Sequence, residues 1–420
     1  MTLKKHTLQT TAALVTTALL LSACGSRDSD DEPEANPQQA GTPGSPSIGG
    51  ETRTVDYGFA FTRTPDFTSG QIERISLTDG NIVNGTYPST ESNYVLASNG
   101  NDLFQLGRFN IDTLTSYSPT DTSAVNYQVL LRADEAETTS AAGIAFVDED
   151  LAYVTQRSSD KILIIDPTPE QPTRESVILG EISIAEYNLG PDDALDYPDM
   201  TDAVVVDNKL FVLLENLTGF TPVNRAYIVV IDTVTGLEIP TGMGQFPLDG
   251  IELQSVNPGS LQYNEESGQL YVIGRGYYYA DDAVTTETYT GGVESIDPVT
   301  YQSNLLIDDG TTDNNNGYFF EGVVVNENLG YLISLEGENN TVNNLRSFNP
   351  STGELSDPIP GTEGQSLTTL AVGPDNHLWV GIQSDTPGYM RINLESGEVV
   401  SERVATTLIP SDTVFITVEE

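Results

Sequence analysis

From Val55 onward, short apolar and β-branched runs alternate with clusters of Gly, Asn, Asp and Pro, and no window sustains the 3.6-residue spacing of an amphipathic helix. The pattern predicts an all-β chain of many short strands. It also repeats. One unit recurs: an apolar strand, a tight polar turn, a second strand, a loop, a third strand ending in Ile-Asp or a variant of it, another tight turn and a fourth strand. The clearest copy places its strands at 143–147, 151–154, 162–166 and 176–179, and the next places three at 203–206, 210–213 and 228–232. Later copies carry Leu270-Tyr271-Val272-Ile273 with Ile296-Asp297-Pro298, Gly330-Tyr331-Leu332-Ile333 with Phe348-Asn349-Pro350, and His377-Leu378-Trp379-Val380 with Arg391-Ile392-Asn393. Two weaker copies end at Ile75-Ser76 and Tyr117-Ser118-Pro119. Third strands therefore fall at 75, 117, 165, 231, 296, 348 and 392, a mean period of about 53 residues, which is a propeller-blade period stretched by long insertions.

Seven copies predict a seven-bladed β-propeller over residues 55–420. The first copy lacks its opening strand, since Tyr57-Gly58-Phe59-Ala60-Phe61 matches second strands elsewhere, while 412–417 is a strand left over at the C-terminus. The C-terminal strand is thus expected to complete blade one and close the ring, which removes the exposed sheet edges. Leu151-Ala152-Tyr153-Val154, Leu270-Tyr271-Val272, Ile165-Asp166-Pro167, Ile231-Asp232-Thr233-Val234-Thr235-Gly236 and Ile296-Asp297-Pro298 resemble the repeats of the bacterial YVTN-repeat, YncE-like propellers. That resemblance implies fold far more than function. The aspartates of the Ile-Asp motif (Asp166, Asp232, Asp297) are expected to be turn formers, not ligands.

Residues 1–23 combine Lys4, Lys5 and His6 with an apolar stretch from Thr11 to Leu21 that is too short to span a bilayer. Leu21-Ser22-Ala23-Cys24 resembles the lipobox of bacterial lipoproteins, which implies cleavage before Cys24 and acylation of its thiol. Residues 24–54, rich in Ser, Asp, Glu, Pro and Gly, read as a flexible tether. The expected location is the cell envelope, anchored to a membrane by the acyl group; Gly25 after the cysteine resembles lipoproteins of the outer membrane.

Composition narrows the chemistry. Sixty-two acidic residues against 17 basic ones give a net charge of -45, which argues against nucleic acid as a partner. One Cys and two His leave little material for a disulfide framework, a Cys/His zinc site or His-dependent acyl transfer. His377 is expected in a surface turn. No Gly-x-Ser-x-Gly, Walker or His-Glu-x-x-His motif appears.

Long connections gather on one face, the usual binding side of a repeat ring. There, Tyr277, Tyr278, Tyr279, Asp281, Asp282 and Tyr289 could hold a sugar, a cationic or aromatic molecule or a basic loop, or could simply fold the loop back on the blades. Asp192, Asp193 and Asp196, or the stretch Asp308 to Asn316, offer hard oxygen ligands for calcium, a possible cofactor. Arg157, Arg225 and Arg275, with Glu215, Glu321 and Glu336 as neighbours, occupy or adjoin second-to-third-strand loops; they would either clamp an anion at the channel or pair with surplus carboxylates. The favoured reading is a non-catalytic propeller that binds a small ligand or an envelope protein on its long-loop face. A calcium- or carboxylate-dependent hydrolase or lyase, and a structural scaffold, are the alternatives.

Overall fold

The computed structural model describes residues 54–419 apart from 79, 134–137, 190–196, 219–220, 223–224, 277–289, 312–313 and 337–341. The chain divides into a unit of residues 1–51 and one of 52–420. The expected signal, Cys24 and all but the last residue of the expected tether lie outside the described residues.

The second unit is nearly all β and forms seven blades in a ring. Counted from the axis outward, blade one is Ile409–Glu419, Thr54–Arg63, Gly70–Ser76 and Ile82–Ser89, so its innermost strand comes from the C-terminus. Blade two is Tyr94–Ser98, Leu103–Gly107, Thr113–Ser118 and Asp121–Leu130; blade three is Ala141–Phe146, Ala152–Gln156, Lys161–Ile165 and Ile178–Ser183. Blade four is Met200–Val206, Lys209–Leu214, Tyr227–Asp232 and Ile251–Glu252; blade five is Pro258–Asn264, Gln269–Gly274, Gly292–Ile296 and Ser303–Asp308. Blade six has Tyr318–Asn326, Leu329–Glu336 and Val342–Phe348, and blade seven Ser366–Gly373, His377–Gln383, Gly388–Asn393 and Val404–Ala405. First strands touch their neighbours all the way round, from blade one to two and on to seven and back to one.

All seven expected third-strand positions lie in third strands, each at the last residue or one before it. Closure is as the leftover strand implied: Thr54–Arg63 pairs antiparallel with Ile409–Glu419 along its whole length. Blades bury both faces, so second strands read as continuous apolar runs such as Leu210 to Leu214, all buried. At the closing seam, Trp379 of blade seven meets Tyr389 and Phe415 edge-on at 5.3 and 5.8 Å.

The Ile-Asp motifs are turn chemistry. Asp232 Oδ1 accepts from the Val234 and Thr235 N–H groups and Asp297 Oδ1 from those of Val299 and Thr300, and Asn349 and Asn393 repeat the pattern. His377 sits against the turn, its Nδ1 2.7 Å from the Asp375 carbonyl. Two blades differ from the expected four-strand unit: blade six has three strands, with Leu355 only bridging Phe348. In blade three the segment beginning at Ser176 is a helical turn, Arg174–Val177, capped reciprocally by Thr173 and Ser176, and the fourth strand starts at Ile178.

Candidate anion site in the central channel

Pairing between first and second strands slips near the start of the first strand in six blades. The slips fall between Pro410 and Asp412, Ala141 and Ile144, Met200 and Asp202, Pro258 and Ser260, Phe319 and Glu321, and Leu367 and Thr369. A bulge leaves its extra residue unpaired and re-aims the side chains around it. Here the extra residues Ser411, Ala142, Gly143, Thr201, Gly259 and Phe320 line a cavity of about 360 Å³ on the ring axis. Every blade contributes to its wall.

Three arginines complete that wall, Arg108, Arg157 and Arg275. They are equivalent by position. Each directly follows the second strand of its blade (two, three and five), and each backbone N–H bonds the carbonyl of the residue before the first strand: Asn93 at 2.9 Å, Ser140 at 2.8 Å and Asn257 at 3.0 Å. In blade four the same position is Glu215, bonded in the same way to Asp199.

The three differ in how their charge is met. Arg157 is ion-paired to buried Glu215 and lies 3.8 Å from Asp199. Arg275 is held by a neutral partner, its Nε donating to the Phe320 carbonyl of blade six at 3.0 Å. Its seat exists because residue 259 is glycine: a Cβ there would stand 2.4 Å from the Arg275 guanidinium carbon. Among the described residues, no carboxylate lies within ion-pair distance of Arg108 or Arg275. Burial and the nearby charges of Arg157 and Arg275 lower the Arg108 pKa, the mark of a crowded positive site.

Three acids also touch the cavity, and each pins one blade to the next. Asp412 Oδ2 accepts from Leu96 N–H (2.6 Å), Asp202 Oδ2 from Leu261 N–H (2.9 Å) and Glu321 Oε1 from Leu370 N–H (2.7 Å). Burial pushes Asp202 up to about 6 and Glu321 up to about 7, and raises Asp412 as well. Asp199, beside Arg157, is pushed up to about 6 by burial, against the pull of that arginine.

Of the residues singled out from sequence, the structure therefore brings Arg157, Arg275 and Glu321 to one cavity, with Glu215 behind Arg157. Arg225 does not belong there. It is over half exposed, its Nη1 donates to the Gln254 carbonyl, and among the described residues it pairs with Glu252 at 3.8 Å. Glu336 is likewise engaged elsewhere, with Arg346 at 2.8 Å. Tyr277, Tyr278, Tyr279, Asp281, Asp282 and Tyr289, and the acids Asp192, Asp193 and Asp196, lie outside the described residues. The second calcium candidate is a small hairpin in which Asp308 Oδ1 caps Gly310 N–H while Asp309 is buried against Gly291 N–H. Among the described residues, no three His, Cys, Asp or Glu side chains gather as a metal site.

Arg108 and Asp412 were not singled out from sequence. Arg108 had a readable signal, because Gly107-Arg108, Gln156-Arg157 and Gly274-Arg275 occupy one repeat position. Asp412 had none, because a bulge is invisible in an apolar pattern.

No family model and no curated protein matches this sequence. Solved structures do match. A protein from Lactobacillus plantarum aligns with a TM-score of 0.58 at 12% identity, over 87% of this chain and 100% of that one. A Bacteroides fragilis protein provisionally described as a 6-phosphogluconolactonase aligns with a TM-score of 0.56 at 10% identity, over 89% and 100%. Apo AztD from Citrobacter koseri aligns with a TM-score of 0.51 at 12% identity, over 87% and 99%. Likeness at these identities is likeness of fold: the chain carries a seven-bladed β-propeller.

Proposed function

We propose that this chain is a cell-envelope lipoprotein whose propeller binds a small anionic ligand in the axial cavity, without chemical turnover. The observation that carries the reading is the pair of guanidiniums, Arg108 and Arg275, that line a cavity without a carboxylate partner among the described residues, in a chain with 62 acidic residues. With so many acids available, a cation held apart from them is free to meet a ligand's charge. Arg108, Arg157 and Arg275 stand where the second-to-third-strand connections of their blades begin. The name of the Bacteroides fragilis neighbour implies a phosphorylated ligand, but that likeness is of scaffold, and the reading rests on the arginines.

A thermal-shift screen at low ionic strength tests it, with sulfate, a phosphate monoester and a dicarboxylate set against neutral sugars and calcium. A specific anion at a hundred times its Kd should stabilise the domain by about 2.7 kcal/mol. The effect should vanish when Arg108→Met and Arg275→Met are combined. Stabilisation by sugars or calcium alone, or by anions regardless of the two arginines, would overturn the reading. The anchor is tested separately: Cys24→Ser should abolish incorporation of labelled fatty acid and release the protein from the membrane fraction, and unchanged labelling would refute it.

A further inference from the structure

We infer that the axial site takes a doubly charged oxyanion together with one proton, and that Glu321 holds the proton as a hydrogen-bond donor to the ligand. The inference rests on the reading of the cavity as an anion site. The ligand's charge follows from counting. Arg157 is already paired with Glu215, which leaves Arg108 and Arg275 as two guanidiniums with no carboxylate at ion-pair distance among the described residues, the oxygens of Asp202 and Asp412 in the same wall being taken up by backbone N–H groups. A dianion meets both.

The proton follows from geometry. Arg275 Nε is fixed on the carbonyl of Phe320, the residue immediately before Glu321, so guanidinium and carboxyl belong to one bulge in the cavity wall. Asp202 and Asp412 each have both oxygens occupied, Oδ1 by the next residue's N–H and Oδ2 by the neighbouring blade. Glu321 differs. Its Oε1 accepts from Leu370 N–H and the Thr369 hydroxyl (3.1 Å), whereas Oε2 accepts no hydrogen bond among the described residues. An ionised Glu321 would present a bare carboxylate oxygen to the anion and repel it; a protonated one donates.

The surrounding charges favour the proton. Burial is the largest influence on Glu321 and places its pKa at about 7; the hydrogen bonds from Leu370 N–H and Thr369 and then the charge of Arg275 of blade five pull it down, and Asp412 of blade one pushes it up. Thr369 of blade seven faces it without charge. An anion that neutralises Arg275 removes the one charge that opposes protonation and leaves only the hydrogen bonds from Leu370 N–H and the Thr369 hydroxyl on that side, so binding draws a proton onto Glu321 when the solution is near or above neutral. No bond to the ligand is made or broken; the ligand and the proton bind together.

Sulfate is the probe, because it stays doubly charged across the neutral range and contributes no proton of its own. Calorimetry in buffers of different ionisation enthalpy should show about one proton taken up per sulfate at pH 8, with affinity falling about tenfold per pH unit above about 7. Glu321→Gln keeps the acceptor for Leu370 N–H and supplies a permanent donor. It should bind sulfate at pH 8 about as tightly as the parent does at pH 6, with no proton uptake. Sulfate binding independent of pH and without proton uptake would overturn the inference while leaving the anion site standing. A pH slope that persists in Glu321→Gln would overturn the assignment to Glu321. Failure of the parent to bind sulfate at any pH, or binding unchanged by Arg108→Met with Arg275→Met, would overturn both the inference and the reading beneath it. If Glu321→Gln does not fold, proton uptake by the parent still decides the first question.

Discussion

At the scale of single residues, glycine and buried acid set the character of the channel. Gly259 leaves the space in which the Arg275 guanidinium lies, and an added methyl would come within 2.4 Å of it. Gly259→Ala should therefore displace Arg275 from Phe320 and weaken sulfate binding at least tenfold, as measured by calorimetry, while the melting temperature moves by only a few degrees. Asp309 carries a different prediction. It is fully buried, Oδ2 accepts from Gly291 N–H and Oδ1 has no partner, and burial, reinforced by Asp308, pushes its pKa up to about 7. The folded state then binds more protons than the unfolded state between about pH 4 and 7, so this group lowers stability as pH rises through that window, and its cost is complete above 7. Asp309→Asn should raise stability at pH 8 by about 1–3 kcal/mol and leave it nearly unchanged at pH 4; equal effects at both would contradict the assignment. Neither residue was readable in sequence. Gly259 looks like any turn glycine, and Asp309 looked like a calcium ligand because its neighbours Asp308 and Asp313 are acidic, yet what decides its role is the burial that only the folded ring supplies.

At the scale of elements, much of the fold was legible because propeller turns need particular residues. Asp232 and Asp297 cap two successive N–H groups each, and such a turn can be read wherever Asp or Asn follows an apolar run. Bulges leave no such mark. They nevertheless build the seams: beyond each slip in blades one, four and six stands an acid that accepts a backbone N–H of the next blade. The same device recurs on third strands, where buried Glu294 accepts from Gln254 and Ser255 and buried Glu73 accepts from Thr407. Part of the negative charge is thus structural. Asp202 makes the case testable, since it serves Ala203 N–H at 2.8 Å and Leu261 N–H at 2.9 Å. Asp202→Ala should leave both without their partner and cost about 2–4 kcal/mol in denaturant unfolding, whereas Asp202→Asn, which can still accept, should cost about 1 kcal/mol or less. Equal losses in the two variants would mean that the seam depends on charge and not on hydrogen bonding.

At the scale of the whole molecule, closure is the feature that the repeat pattern foretold most directly and the one with the largest consequence. Ile409–Glu419 is the inner strand of blade one and also touches both neighbouring blades: Asp412 accepts from Leu96 of blade two, the Thr413 hydroxyl lies 2.6 Å from that of Tyr389, and Phe415 packs on Trp379 of blade seven. Without it, the fully buried Phe59, Phe61 and Trp379 would each lose an apolar neighbour or cover. Each such side chain is worth about 1.5–3 kcal/mol of burial, so together they approach the 5–15 kcal/mol that holds a typical domain folded. Deleting 409–420 should therefore abolish cooperative melting, and the exposed edge of Thr54–Arg63 should promote association. A synthetic peptide spanning 409–420, added during refolding, should restore a melting transition by strand addition. Loss of the transition shows that the strand is needed; recovery with the peptide shows that the need is for pairing at this edge and not for a continuous chain. A truncated protein that melts like its parent would mean that the ring is held by the six other seams and that blade one is dispensable. The same truncation bears on the cavity, because it removes Ser411 and Asp412 from the wall but leaves Arg108, Arg157 and Arg275 in place. Sulfate binding should be lost with the fold and should return with the peptide, since the three arginines converge only while the ring is closed.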